Sequence, residues 1–333
     1  MSLQVETIRS LPDLESIRSA WSELRERCPD ATVFQSPNWL LPWARHFAPD
    51  RTGAIALRES GELVALIPFF AWNGRLLLAG TGPTDYCDGL FAPEHGATGA
   101  AALTSLAAAA VEVGAACIDL QQLRAESLLL RAPAPHGWQD ELRTGSTCPV
   151  ARLAGDSGVS VLSSQRRKKL RRVQRQLQAH PEYDLGTACA EELGTNAAET
   201  LERLHARRWA ARGESGVLAE PFMHAFIRTV MSELSAAGLL RLQRLRVMRQ
   251  TIAIVFAIRS GRAVFFYLGG FDPDWSRFSP GTLTVVAAMQ AAAAEGASEF
   301  HFLRGAEAYK YHLGGHDRPT YRRVLTAPGG SCA

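Results

Sequence analysis

Three apolar segments, residues 239–247, 251–259 and 263–272, follow one another with links too short for anything but turns. A chain written this way is committed to a sheet. Ser279-Pro280-Gly281 then opens an Ala-rich helix that runs to Ala294 and stops at Gly296, and the strand segment 299–303 follows. Two helical stretches stand before the strands, Asn196 to Ala211 and Pro221 to Ala237, the second ending at Gly238. The order is helix, helix, three strands, helix, strand.

A similar order occupies the first half. After a strand at Val5–Ile8, Pro12-Asp13 begins a helix with Leu14, Ile17, Trp21 and Leu24 on one face, and a second helix covers Asn38–Phe47. Two apolar runs flank Glu59-Ser60-Gly61, and a third follows Asn73-Gly74, both of which are turn signals. The stretch 81–96 reads as a loop. An Ala-rich helix from about Ala97 to Val113 leads to the strand Cys117–Leu123. The expected fold is mixed α/β, with two tandem halves packed together and no sequence self-similarity between them. Pro- and Gly-rich stretches at 132–138 and 153–158 put the boundary near 150, giving domains at 1–150 and 151–333.

With 333 residues, 47% hydrophobic and 21% charged, the chain has the composition of a soluble globular protein. The net charge of +3 excludes a histone-like nucleic-acid binder. Averaging hides a cluster, however. A helix expected over 163–179 holds Arg166, Arg167, Lys168, Lys169, Arg171, Arg172 and Arg175 with no acid, and Leu170, Val173 and Leu177 form its apolar stripe. Without these cations the chain would be slightly acidic. The cluster reads as a solvated face, a site for phosphorylated ligands or RNA through 166–175, or a peripheral membrane contact.

The six cysteines form no CxxC pair and no zinc spacing, so separate reduced thiols and no metal are expected. The N-terminal residues lack a signal-peptide core, and no run is long and apolar enough for a transmembrane segment. A cytoplasmic location is the expectation.

The chemistry concentrates in residues 263–314. Gly269-Gly270 near the end of an apolar strand allow a bulge or a close approach by another backbone. Ser279 can cap the following helix, Pro280 suits its first turn, and Gly281 lets a ligand approach. The free N–H groups there, with Arg277 nearby, read as an anion site. An ordinary capped helix would carry the same letters.

These residues carry a family resemblance. Tyr267-Leu268-x-Gly270-Phe271-Asp272-Pro273, Ser279-Pro280-Gly281 and Phe302-Leu303-Arg304-Gly305-x-Glu307-x-Tyr309-Lys310 resemble the cofactor-binding core of the GNAT acyltransferase superfamily. The match is nearest to its Fem-like branch of cellulose-biosynthesis-associated acetyltransferases, and it extends to LHARRWAARGESG, FQSPNWLLPWARHF and TDYCDGLFAPEH. The resemblance implies acetyl-CoA or another acyl-CoA as co-substrate, bound by the second half through Tyr267, Gly269, Gly270, Arg277, Ser279, Pro280, Gly281 and Thr282. It implies direct N-acyl transfer to an amine, in a small-molecule or glycan-precursor acceptor of exopolysaccharide or cell-envelope synthesis.

Glu307 is the candidate general base and His301 a second one, while Tyr309 and Lys310 are candidate donors to the thioester oxygen or leaving thiolate. His301 and Ala306 stand where the family usually carries acids. His205, Arg208 and Trp209 on one helix, and Asp85, Tyr86 and Asp88 in the first-half loop, are candidate acceptor contacts; structural pairing and ordinary turns are the competing readings. Two other functions remain open: an aminoacyl-tRNA-dependent Fem-type transferase, and a non-catalytic GNAT-like module.

Overall fold

In the computed structural model, which describes residues 3–93, 98–153, 162–188 and 196–332, the chain forms two mixed sheets. The first stretch contains β1 (Leu3–Ile8), α1 (Leu11–Ser16), α2 (Arg18–Arg27), α3 (Pro37–Phe47), β2 (Thr52–Glu59), β3 (Glu62–Trp72), β4 (Arg75–Leu78), β5 (Leu90–Phe91), α4 (Thr98–Glu112), β6 (Cys117–Leu123), α5 (Leu128–Arg131) and β7 (Gln139–Thr147). Then come β8 (Val150–Arg152), α6 (Ser164–Gln178), β9 (Asp184–Thr187), α7 (Asn196–Ala210), α8 (Pro221–Ala236), β10 (Leu240–Val247), β11 (Gln250–Ser260), β12 (Ala263–Phe271), α9 (Pro280–Ala294), β13 (Glu299–His301), α10 (Ala308–His312) and β14 (Pro319–Thr326).

The turn chemistry sets the hairpins. Ser60 and Gly61 between β2 and β3 both take positive φ, as do Asn73 and Gly74 between β3 and β4, which is the geometry whose twist matches paired strands. The β10–β11 turn does the same with Met248 and Arg249, at some conformational cost in residues that carry a Cβ. The first sheet has the order β1-β2-β3-β4-β6-β14-β7, with β5 pairing β3; β4 and β6 are parallel. The second has the order β8-β13-β12-β11-β10-β9, and β12 and β13 are its parallel pair.

The chain divides into two units, Met1–Ser146 with Pro319–Ala333, and Thr147–Arg318. The segment after residue 318, expected in the second half, therefore belongs with the first. β14 lies antiparallel to β6, and its arginines are matched there. Arg322 donates to both oxygens of the fully buried Asp119 at 2.7 Å, and Arg323 donates to Asp140 at 3.0 and 2.7 Å. Chain order alone hides such a return. β7 escaped the sequence reading as well, because its residues are polar and nearly all exposed, without the alternation that marks a half-buried strand.

Cys117 and Cys332 are disulfide-bonded, with Cα atoms 5.7 Å apart across 215 residues of sequence. This corrects the expectation of separate thiols: the Cys117–Thr326 register brings the C-terminal segment beside the start of β6. Cys28, Cys87 and Cys148 are free and buried, and Cys189 lies outside the described residues.

In the second unit, one face of the sheet is covered by α6 and α9. Leu170, Val173 and Leu177 of α6 and Leu283, Val286 and Met289 of α9 share a core with Ala253, Val255, Ala257 and Phe266. α7 packs on β11 and β12, with Leu201, Leu204 and His205 buried. Among the described residues no helix is long and apolar enough to cross a membrane.

Candidate active site

The site is a wedge in the second sheet. β12 pairs with β13 only through Ala263↔Glu299, Val264↔Phe300 and Phe265↔His301. Beyond that, β13 turns away, with the Phe302 N–H bonded to the Pro149 carbonyl, while β12 continues to Phe271 along β11. The β11–β12 register slips between Phe256 and Ala257, so Tyr267 is the extra residue of a bulge, with its ring 5.6 Å from Phe256. The freed edge of β12 borders a cavity of about 200 Å³.

Each wall follows from local sequence. Gly270 lets β12 touch α7: a Cβ there would lie 2.4 Å from the His205 backbone nitrogen and 2.5 Å from the Leu204 carbonyl carbon. Gly269 and Phe271 point to the other side of the strand, and Gly281 of α9 approaches the Phe271 ring. Gly269, Gly270, Gly281 and Thr282 all line the cavity, joined by Arg208, Arg212, Phe266, Phe271 and Tyr309.

The cationic wall comes from the end of α7. Arg208 Nη1 donates to the Gly269 carbonyl at 3.2 Å, its guanidinium lies over the rings of Phe271 and Trp209, and its buried Nε has no partner. Burial is the main influence lowering its pKa. Arg212 lines the same cavity and stacks on Trp209. It went unremarked in the sequence, although a cation four residues after Arg208 at a helix end was the available signal.

The α9 end differs from its expected cap. Ser279 takes a left-handed conformation (φ 48°, ψ 50°), and its side chain caps nothing. The Gly281 and Thr282 N–H groups have no partner among the described residues. Pro280 is buried at the first turn. Arg277 is exposed, stacked on Phe278 at 4.6 Å, and does not line the cavity.

The candidate catalytic residues separate. Tyr309 lines the cavity, and burial, helped by the nearby Glu307 carboxylate, pushes its hydroxyl up to about 12. Glu307 is at the start of α10 with 58% of its side chain exposed, and its Oε2 is 2.9 Å from Lys310 Nζ. Lys310 is 2% exposed; Nζ donates to the carbonyls of Leu303 (3.0 Å), Arg304 and Gly305 (3.1 Å). It is a buried staple of the loop before α10, and not a cavity donor. His301 is likewise away from the cavity, buried 4.6 Å from the Phe265 ring and bonded to Glu299 Oε2 at 3.1 Å. That bond, with the Arg318 pair, pulls the Glu299 carboxyl down to about 2 against the effect of burial.

The candidate acceptor contacts also divide. Behind the cavity wall, the Trp209 Nε1–H donates to His205 Nε2 at 2.9 Å, and burial followed by the Arg208 charge lowers His205 to about 4. The ring is thus neutral, with its proton on an unpartnered, buried Nδ1. In the first unit, Asp85 and Tyr86 are buried, Tyr86 edge-on to Phe34 at 6.2 Å. Of these three candidates, Asp88 lines a cavity of about 280 Å³ within the first unit. Among the described residues no group of three or more His, Cys, Asp or Glu side chains could hold a metal ion.

Residues 164–311 match the model of the acetyltransferase (GNAT) domain. Among solved structures, the chain is similar to FemX (TM-score 0.65, 11% identity, 92% of this chain and 95% of that one). It is similar to the C-terminal domain of a putative lysylphosphatidylglycerol synthetase from Agrobacterium fabrum (TM-score 0.58, 14% identity, 91% and 92%). It also resembles a tandem GNAT protein from the clavulanic acid biosynthesis pathway (TM-score 0.53, 13% identity, 99% and 100%). At these identities the likeness is one of fold, and it supports two GNAT-like halves in one chain. None of the curated proteins matches the sequence at a significant level.

Proposed function

We propose that this protein is an acyl-CoA-dependent N-acyltransferase, with acetyl-CoA as donor and a primary amine as acceptor. The observation that carries the reading is the wedge beside β12. It combines a free strand edge, two unbonded helix N–H groups at Gly281 and Thr282, and the cations Arg208 and Arg212 in one cavity without an acid. A molecule with an amide-bearing arm and a pyrophosphate needs those three things together. The unpartnered Arg208 Nε fits that donor.

Bound acyl-CoA supplies a thioester; the protein supplies position and proton handling. Arg208 and Arg212 offset phosphate charge. Glu307, half in solvent at the start of α10, takes the proton that the attacking amine loses. Tyr309, held neutral at physiological pH, gives its proton to the sulfur as the carbon–sulfur bond breaks. The acceptor class, an exopolysaccharide or cell-envelope precursor, rests on the family resemblance alone.

Calorimetric titration with acetyl-CoA tests the core of this. Binding should be measurable and should weaken with salt; a folded protein that takes up none would overturn it.

One observation favours a second reading. On α6, Lys168, Arg171, Arg172 and Arg175 form an exposed ridge, with no ion pair among the described residues. Transfer from aminoacyl-tRNA would use such a ridge. Salt-sensitive tRNA binding without acetyl-CoA binding would place that reading first.

A further inference from the structure

The two halves are superimposable by register. In the second, the β10–β11 hairpin closes on Val247↔Gln250, and three residues on Ala253 pairs with Phe271 and Ile254 with Gly270. In the first, the β2–β3 hairpin closes on Glu59↔Glu62, and three residues on Ala65 pairs with Phe91 and Leu66 with Leu90. The next hydrogen bond matches too. The Asp272 N–H reaches the Ile252 carbonyl at 2.8 Å, and the Ala92 N–H reaches that of Val64 at 2.8 Å. Gly89, Leu90 and Phe91 thus occupy the place of Gly269, Gly270 and Phe271, and they border the first unit's own cavity as the latter border the second's.

The two cavities are chemically opposite. The charges lining the second are Arg208 and Arg212. The first has Asp30, Asp88 and Glu126 against Arg124 and Arg131. Arg124 donates to Glu126 at 2.9 Å and to the Asp30 carbonyl, leaving its buried Nε without a partner, and Arg131 Nε donates to the Ala125 carbonyl at 3.0 Å. Asp88 Oδ1 accepts from the Gly89 N–H and the Ser127 hydroxyl, each at 2.8 Å. Its Oδ2 has no partner among the described residues, although the residue lines the cavity. A carboxylate that uses one oxygen for both of its hydrogen bonds and borders a cavity has room on the other for a ligand's donor. A polyphosphate would meet net negative charge here.

We propose that the first half holds a second ligand site, in which Asp88 Oδ2 accepts a hydrogen bond from the ammonium group of a small primary amine. The volume, about 280 Å³, limits the ligand to less than drug size. The inference does not rest on the acyl-transfer reading, because binding is read without acyl-CoA.

Titration tells on the same contact. Burial raises the Asp88 carboxyl to about 6 against the opposing influence of Arg124, Ser127 and the Gly89 N–H, with Glu126 adding to the rise. Asp30 in the turn after α2, Arg131 on α5 and the Cys28 thiol also line the cavity. An ammonium ion binds the ionised carboxylate, so its affinity should grow as pH rises through that value.

The test is calorimetric titration of the full chain with glucosamine and with ethanolamine, against glucose, in which a hydroxyl replaces the ammonium. The amines should bind with a dissociation constant near or below about 1 mM, and glucose at least about tenfold more weakly. Affinity should rise about tenfold from about pH 5 to about pH 7, where both amines stay protonated. Asp88→Asn should cost about tenfold for both amines, and Asp30→Asn, at an exposed position that will not disturb folding, about threefold. No binding of either amine, equal binding of glucose, or a pH-independent affinity in the wild-type chain would each overturn the proposal. Unchanged affinity in a folded Asp88→Asn variant would do the same.

Discussion

Gly270 lies so close to His205 that a Cβ on the glycine would fall 2.4 Å from the histidine's backbone nitrogen. The contact holds the open edge of β12 against α7, whose next turn carries Arg208 and whose end leads to Arg212, both lining the cavity. Gly270→Ala should therefore cost about 1–3 kcal/mol, as overpacking against backbone does, and weaken acetyl-CoA binding. Urea denaturation and calorimetry check the two effects, and a variant as stable as the wild type would show that α7 can shift.

Arg208 and Arg212 are the cations of the cavity. Arg208→Gln and Arg212→Gln should each reduce acetyl-CoA affinity about tenfold, the scale of one charge-assisted contact, and flatten its salt dependence. Arg277→Gln, with its guanidinium on Phe278 outside the cavity, should change affinity less than about twofold. Isothermal titration at two salt concentrations separates these outcomes.

Glu307 and Tyr309 are assigned different proton transfers. Glu307→Gln should lower kcat by about a hundredfold or more, with acetyl-CoA affinity retained. Tyr309→Phe removes only the hydroxyl from the cavity wall and should lower kcat by about a hundredfold. Steady-state kinetics with a good amine acceptor decide both; an unchanged kcat in Glu307→Gln removes it from the mechanism.

Two groups contribute in separable windows to the acid limb of stability. His205 is lowered to about 4 from an ordinary 6.5, so the unfolded chain binds its proton first and stability falls as pH drops from about 6.5 towards 4. Glu299, lowered to about 2 from 4.5, removes a further contribution as pH falls from about 4.5 towards 2. His205→Gln should flatten the upper window and Glu299→Gln the lower one, each by on the order of 1–2 kcal/mol after solvent screening. Denaturation midpoints measured across pH read the two windows separately.

Lys168, Arg171, Arg172 and Arg175 of α6 are exposed and make no ion pair among the described residues. Replacing Lys168, Arg171, Arg172 and Arg175 together by Gln should leave stability within about 0.5 kcal/mol and acetyl-CoA affinity unchanged. A lower melting temperature would show that the helix needs these charges for its fold.

The layout of both halves was legible because hairpin turns and helix stops are local. Asn73-Gly74 and Ser60-Gly61 fall where positive φ is needed, and the Leu170–Val173–Leu177 stripe is buried as its spacing predicts. The close approach at Gly270 was also recognisable, since a Cβ there would run into the α7 backbone. What each polar side chain does was not legible. Lys310 and Tyr309 are neighbours in sequence, yet one staples three carbonyls and the other lines the cavity. Asp88 was grouped with Asp85 and Tyr86, and only the fold buries the latter two.

Periodicity, turn dipeptides and small residues thus determined the elements and their order, because those signals act over a few residues along the chain. The return of β14 to the first sheet, the Cys117–Cys332 pairing, the turning aside of β13 and the opposite charge of two equivalent cavities were decided by tertiary structure alone. They depend on which distant groups meet, and desolvation and hydrogen bonding set a side chain's role only after that meeting is made.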